Sequence, residues 1–259
     1  MPRSAETEEL RALYKVQLSK LQDITDYTHR RTYFVAIKTV EIILKTISKN
    51  KIVIADLGCG QGLVEKYIWK ILKNKSEIEQ KQLTLICLDL NKHVLVREWI
   101  GNTCEKIVAF LPFIPLRNKS IDVIIISEVI EHIPSKLIVN LIKGLYDLLV
   151  VGGVLILTTP NISNYTSRVR FLFTGKLDLL DDWQHFQYFN YKKLKKMLEN
   201  TGFKIRRENF DLVMESSGFI SRLALLIPLI LRRIILKILP ELDKLIVIIG
   251  YKITYEEEV

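Results

Sequence analysis

The segment Ile52-Val53-Ile54-Ala55-Asp56-Leu57-Gly58-Cys59-Gly60-Gln61-Gly62 constrains the fold of this chain more than any other stretch. A short apolar run that ends on a carboxylate and breaks into three alternate glycines has the pattern of a buried parallel strand turning into a helix. Without Cβ atoms the main chain can lie close to a ligand, and the N-terminus of the following helix carries N–H groups that have no partner within the helix. The dinucleotide fingerprint GxGxxG would put glycine at 63, where Leu63 stands. A nicotinamide-dependent dehydrogenase is therefore disfavoured.

The alternation continues past this loop. Helical periodicity over 63–72 leads to a strand at 83–90, a helix-like stretch at 91–101 and a weak strand at 106–110. A strand at 122–127, a helix at 136–149, a turn at Gly152-Gly153 and a strand at 154–158 follow; a helix at 191–200 and strands at 204–208 and 245–251 complete the series. Parallel strands need covering crossovers, so this order predicts an α/β, doubly wound, mostly parallel sheet of seven strands. Residues 1–49 read as an N-terminal helical cap, interrupted by the polar stretch 23–31. The core spans 50–212, a helical insert 213–244, and the last strand with an acidic tail 245–259.

Within the insert, residues 217–242 are hydrophobic and basic. Arg222, Arg232, Arg233 and Lys237 gather on one side of a helical wheel, and Leu and Ile cover the rest. The longest uninterrupted apolar run, Leu223 to Leu231, is too short to cross a bilayer, which takes about 20 residues, and Pro228 divides it. Such a helix suits the surface of an anionic membrane, a lid over the site, or a homodimer contact. The formal net charge of +9 is compatible with nucleic acid, anionic lipid or an acidic substrate and does not choose among them. Three cysteines without CxxC spacing suggest unpaired thiols in a reducing compartment. The N-terminus has acidic residues where a signal peptide has an apolar run, so the expected location is cytoplasmic, peripheral to the inner membrane face if 217–242 meets lipid.

The residues DLGCGQG at 56–62 resemble motif I of the class I S-adenosylmethionine-dependent methyltransferases. The resemblance implies a Rossmann-like fold and places the methionine end of S-adenosyl-L-methionine among Asp56, Gly58, Cys59, Gly60 and Gly62. A zwitterionic ligand accounts for the acid at the strand end, because a carboxylate attracts an ammonium group and would repel a pyrophosphate. Asp89, with Leu90 beside it, stands where the family holds the two ribose hydroxyls. Many relatives carry an acid near position 110 for the adenine amino group; here Phe110 occupies it, so Phe110 and Leu111 are the expected adenine contacts, and Ser127 is a further expected cofactor contact.

Glu128-Val129-Ile130-Glu131-His132 follows the fourth strand. If a helix begins there, Glu128 and His132 share a face and Glu131 lies at the three-residue spacing. Two carboxylates and an imidazole can move a proton or hold a divalent ion, so Glu128, Glu131 and His132 are the candidate catalytic group. The bland alternative is an acid capping a helix and a histidine meeting a buried hydrogen bond. The E-x-x-E-H arrangement, with Thr158-Thr159-Pro160-Asn161 downstream, is similar to ubiquinone-biosynthesis O-methyltransferases and their type 11 and type 12 methyltransferase-domain relatives. It is less similar to small-RNA 3′-terminal 2′-O-methyltransferases. Both likenesses imply a metal set of Glu128, Glu131, His132 and His185 for Mg or Mn. The expected activity is O-methylation of a small hydrophobic or membrane-associated acceptor. Methylation of an RNA 2′-hydroxyl and a non-catalytic cofactor-binding partner subunit are the alternatives.

Overall fold

A computed structural model describes residues 27–45, 49–72, 82–95, 104–164 and 185–208, the stretch 243–253, and a few positions at 167–168, 171–172, 175 and 241. Its elements are α1 (Tyr27–Lys45), β1 (Lys51–Leu57), α2 (Leu63–Leu72), β2 (Gln82–Asp89), α3 (Lys92–Leu95), β3 (Glu105–Val108) and β4 (Ile121–Ser127). After these come α4 (Ile138–Leu148), β5 (Leu149–Pro160), α5 (Tyr191–Glu199), β6 (Phe203–Glu208) and β7 (Leu245–Lys252). The seven strands form one sheet in the order β3-β2-β1-β4-β5-β7-β6. The pairs β1–β2, β1–β4, β2–β3 and β4–β5 are parallel, and β7 runs antiparallel between β5 and β6.

Both faces of the sheet are covered, which is why β4 is buried over six consecutive positions rather than alternating. On one face Ile138, Leu141, Ile142, Leu145 and Leu148 of α4 recur at three and four and pack with Ile124, Ile126, Leu155 and Leu157. On the other, Val35, Ile37, Val40 and Ile43 of α1 and Ile68, Ile71 and Leu72 of α2 cover Ile52, Ile54, Val123 and Ile125. α5 starts at Asn190, whose side chain accepts a hydrogen bond from the Lys193 N–H. The first strand turns away to β2 on one side while β4 continues on the other. In an open α/β sheet this reversal leaves a crevice at the carboxyl ends of the strands, where Asp56 pairs in register with Cys87 and Ile125.

Four local expectations are revised. Helix α1 covers Tyr27–Lys45, so 27–31 is helical where a polar break was expected. Gly152 and Gly153 do not form a turn ahead of the strand: β5 runs through them, and from Leu149 to Val154 it advances five positions while β4 advances two, from Ile121 to Val123, in an irregular register. The residues after β4 form a 3-10 turn, Ile130–His132, in place of the start of an α-helix. Finally, Cys87 and Cys104 are disulfide-bonded and only Cys59 is free, whereas spacing suggested three separate thiols. The pairing follows from strand order: Cys87 lies opposite Lys106 across β2–β3, so Cys104 enters two residues earlier beside it. The cap residues 1–26, the extension of α3 beyond Leu95, and all of 217–242 except 241 lie outside the described residues. Among the described residues no helix is long and apolar enough to cross a membrane.

A thiol titration of the unfolded, unreduced protein should give one reactive thiol per chain, rising to three after reduction; three before reduction would remove the Cys87–Cys104 bond.

Candidate functional site

The bend after β1 is built by close contact. Gly58, Gly60 and Gly62 all have positive φ, and a Cβ on Gly58 would lie 2.4 Å from Val129 Cγ2. No atom lies within 4 Å of the place where a Cβ on Gly60 would point, so that side of the bend is open. The N–H groups of Gly58 and Cys59 both donate to the Leu88 carbonyl at 2.7 and 3.1 Å, and Gly62 N–H donates to the Cys59 carbonyl at 2.8 Å. Gly60 N–H donates to Asp89 Oδ2 at 2.9 Å, and Asn91 N–H to Asp89 Oδ1 at 2.8 Å. Four N–H groups that the sequence pattern offers to a ligand are thus used to fix the loop. What faces the crevice is open space edged by carboxyls.

Asp56 is buried at the end of β1, and among the described residues no N–H or O–H group donates to its Oδ1. Burial, then the neighbouring charge of Glu65, pushes its carboxyl well above the usual range. Cys59 is buried, and burial followed by the charge of Asp56 pushes its thiol up, which makes it unsuited to act as a nucleophile. At the end of β2 and after β3, Leu90 and Phe110 are exposed, Leu111 is buried, and the rings of Phe110 and Phe113 lie 6.3 Å apart across the cis Leu111–Pro112 bond. An open space, an orphaned buried carboxyl oxygen and exposed apolar side chains along one edge suit a ligand with a cationic end and a flat heterocycle.

Beyond Val129 the second half of the crevice begins. Glu128 adopts φ +56, a left-handed conformation that costs a residue with a Cβ about 1–2 kcal/mol. It is held there from three sides: its N–H donates to the Thr158 carbonyl at 3.0 Å, Thr158 Oγ1 donates to its Oε1 at 3.1 Å, and Arg31 Nη1 pairs with its Oε2 at 3.1 Å. Ser127 Oγ lies 2.8 Å from Thr158 Oγ1 and, since Thr158 donates to Glu128, acts as the donor in that contact. Burial nevertheless pushes the Glu128 carboxyl up, against the pull of Arg31. Glu131 is buried, accepts a hydrogen bond from Thr159 Oγ1 at 2.9 Å, and is pushed up to about 8 by burial and then by the charge of Glu128.

The 3-10 turn therefore separates the two acids that a helix would have aligned. Glu128 points to Arg31, while ligand atoms of Glu131, His132 and His185 come within 4.8 Å of one another. The rings of His132 and His185 are 4.9 Å apart. His185 arrives from a distant segment that is tied to the turn: Phe186 N–H donates to the Glu131 carbonyl at 3.0 Å, and Gln187 Nε2 donates to the Ile133 carbonyl at 2.8 Å. Fully buried Phe189 anchors the segment beside Asn161, whose Nδ2 donates to the Asp243 carbonyl at 2.6 Å. Glu131, His132 and His185 could hold a divalent ion; Glu128, with both oxygens engaged, stands apart from that set.

Arg31, Gln187 and Glu65 escaped the sequence reading. Arg31 lay in the stretch taken for a break, and nothing local links Gln187 to Ile133. Glu65 carried a signal: it shares the apolar stripe of α2 with Ile68 and Leu72 at spacings of three and seven.

Residues 27–208, well over half of the chain, match the sequence profile of a family described as "Methyltransferase domain". The chain belongs to that family. It is a class I S-adenosylmethionine-dependent methyltransferase with the sheet and helices of that fold. The methyltransferase resembles a SAM-dependent methyltransferase from Archaeoglobus fulgidus at 18% identity, covering 85% of this chain and 93% of that one with a TM-score of 0.53. It also resembles the YcgJ protein from Bacillus subtilis at 15% identity, 84% and 99% coverage and a TM-score of 0.55. Phosphoethanolamine N-methyltransferase 2 from Haemonchus contortus, in complex with S-adenosyl-L-methionine, aligns at 16% identity over 82% of this chain and 51% of its own, with a TM-score of 0.53. A comparison with curated protein sequences found no match.

Replacing Arg31 with Met should leave a half-buried carboxyl without its ion partner and lower stability by about 1–3 kcal/mol in urea unfolding. Pairing it with Glu128→Gln should recover a large part of that loss; additive effects of the two changes would show that the contact carries no coupling.

Proposed function

We propose that the methyltransferase methylates an oxygen of a small, hydrophobic or membrane-associated acceptor. In this reading Asp56, Gly58, Cys59, Gly60 and Gly62 receive the amino-acid end of S-adenosylmethionine, Asp89 and Leu90 its ribose, and Phe110, Leu111 and Ser127 the remainder. The observation that carries it is the shared wall at Gly58 and Val129, which sets the open bend on one side of the crevice and Glu131, His132 and His185 on the other. Two reacting groups brought side by side in this way need little more than alignment for a displacement. Bound S-adenosylmethionine supplies a methyl group already activated by its sulfonium centre.

The acceptor hydroxyl gives its proton to His132, whose ring beside His185 is half-buried and so open to the crevice. Glu131, raised toward neutrality, can hold either a proton or a charge in its hydrogen bond to Thr159. Glu128 acts by position, fixing the turn through Arg31 and Thr158. A divalent ion, if held by Glu131, His132 and His185, would lower the hydroxyl pKa and orient it. The convergence of those three residues also favours a second reading, in which a terminal ribose 2′-hydroxyl of RNA is the acceptor. The basic segment 217–242 supports a lipid-like acceptor instead, since its charge is accounted for by an anionic surface.

Asp89→Ala removes the acceptor of two loop N–H groups together with the ribose ligand, and should raise the dissociation constant for S-adenosylmethionine tenfold or more in calorimetry. Wild-type affinity would remove the ribose assignment. His132→Ala should lower kcat by about 10²–10⁴. If Glu131, His132 and His185 hold an ion, chelation should abolish turnover and Mg or Mn restore it; chelator-insensitive turnover leaves His132 as proton acceptor without an ion. Labelled cofactor incubated with a fractionated extract separates the acceptors, since label enters the lipid or small-molecule fraction in the first reading and RNA in the second.

A further inference from the structure

Glu65 has no part in the reading above, yet it is one of the most deeply buried acids in the chain, at 1% exposure, and it faces Asp56 at 3%. Two carboxyls in one apolar pocket cannot both carry charge without a cation, and together they lower their energy by sharing a proton. Among the described residues no cation serves them. The charges that act on Asp56 are those of Glu65 and Asp89, and the one group that acts on Glu65 besides its own amide is Asp56. From β2 the pocket receives Cys87, with Sγ 3.5 Å from Glu65 Oε1, but that sulfur is bonded to Cys104 and does not titrate. From the bend it receives the Cys59 thiol. The titratable groups on the α1–α2 contact, His29, Tyr33 and Tyr67, interact with one another instead. Ile54, Val123 and Ile125 supply only apolar surface.

Asp56 Oδ1 and Glu65 Oε2 are both buried and receive no N–H or O–H from any other described residue, while the two carboxyls hydrogen-bond to each other, which requires a proton between them. The shared proton satisfies both oxygens in the free protein; once it leaves, two buried charges need a cation in its place. An ammonium carries three donors and one positive charge, enough for both oxygens and for the negative charge that appears when the shared proton leaves.

We propose that Asp56 and Glu65 act as a single proton-sharing pair under the glycine bend, and that the ammonium of the cofactor binds in exchange for that proton. The proposal rests on the reading that the bend receives the amino-acid end of the cofactor. Glu65 is then a positioning residue for the known reaction: it stores a proton in the free enzyme and shares the ammonium in the loaded one. The direction follows from linkage. Free enzyme holds the proton because burial raises both carboxyls; the ammonium favours their charged form; binding therefore releases a proton and tightens as pH rises.

The test is calorimetry with S-adenosylhomocysteine, which has the same amino-acid end and no labile sulfonium, from pH 6 to 9 in buffers of different ionisation enthalpy. Wild type should release up to one proton on binding, and its dissociation constant should fall by up to tenfold per pH unit while the pair titrates. Glu65→Gln should bind without that release and with a flatter profile. Deprotonation of the ligand's own amino group weakens binding at alkaline pH in both proteins, so the difference between them reports the pair. Wild-type binding with no buffer-dependent heat, or a Glu65→Gln profile identical to wild type, overturns the proposal and leaves the cofactor site standing. If Glu65→Gln does not fold, proton release by wild type alone decides. Failure of the ligand to bind at any pH overturns the site reading and the proposal with it.

Discussion

The contact between Gly58 and Val129 organises the crevice. A methyl group at position 58 would lie 2.4 Å from the valine side chain, so the loop after β1 and the turn after β4 can meet only because one of them has no side chain. The two loops leave the sheet from adjacent parallel strands, and their separation is set by strand spacing of about 4.8 Å. A bulkier residue would push the bend toward Leu88, whose carbonyl already accepts two of its N–H groups. Through this one approach the open bend after β1 is fixed relative to the segment that carries Glu128, Glu131 and His132.

A second constraint is electrostatic. The chain carries a net charge of +9, yet Asp56, Glu65, Asp89, Glu128 and Glu131 all collect at one edge of the sheet. Their neutralisation differs from place to place. Asp89 is held by two main-chain N–H groups, Glu128 by Arg31, Glu131 by Thr159, and, among the described residues, the Asp56–Glu65 pair by each other alone. The groups that are satisfied by the protein define the walls. Those left short of partners mark where a cationic ligand adds the most, because a charge in a low-dielectric pocket responds strongly to a neighbour.

Much of the fold was legible in the residues because its signals are local. The apolar run at 52–55, the glycines after it and the amphipathic stripes of α2 and α4 each state their own geometry, and a parallel strand order follows once helices alternate with strands. Asp56 and Asp89 were legible for the same reason, since each closes a strand. The acid–acid–histidine group was legible as composition but not as shape. A helical period was assumed where the backbone takes a left-handed step at Glu128 and a 3-10 turn after it, and the spacing rule failed there. Gly152 and Gly153 misled in the opposite sense, since a turn signal inside a long strand can equally be a bulge.

Sequence by itself determined the strand–glycine–helix unit, the position of the two strand-end acids and the nearness of His132 to the end of the fourth strand, because each depends on residues close to one another along the chain. Tertiary structure alone decided which acids meet which partners: Arg31 with Glu128, Glu65 with Asp56, His185 with His132, and Cys87 with Cys104. These pairs are separated by 97, 9, 53 and 17 positions. Even the shortest separation hides the contact, because a strand, a bend and a helix turn the chain back on itself between Asp56 and Glu65. Side chains that meet across such a reversal are selected by the packing of whole elements, and no local period records it.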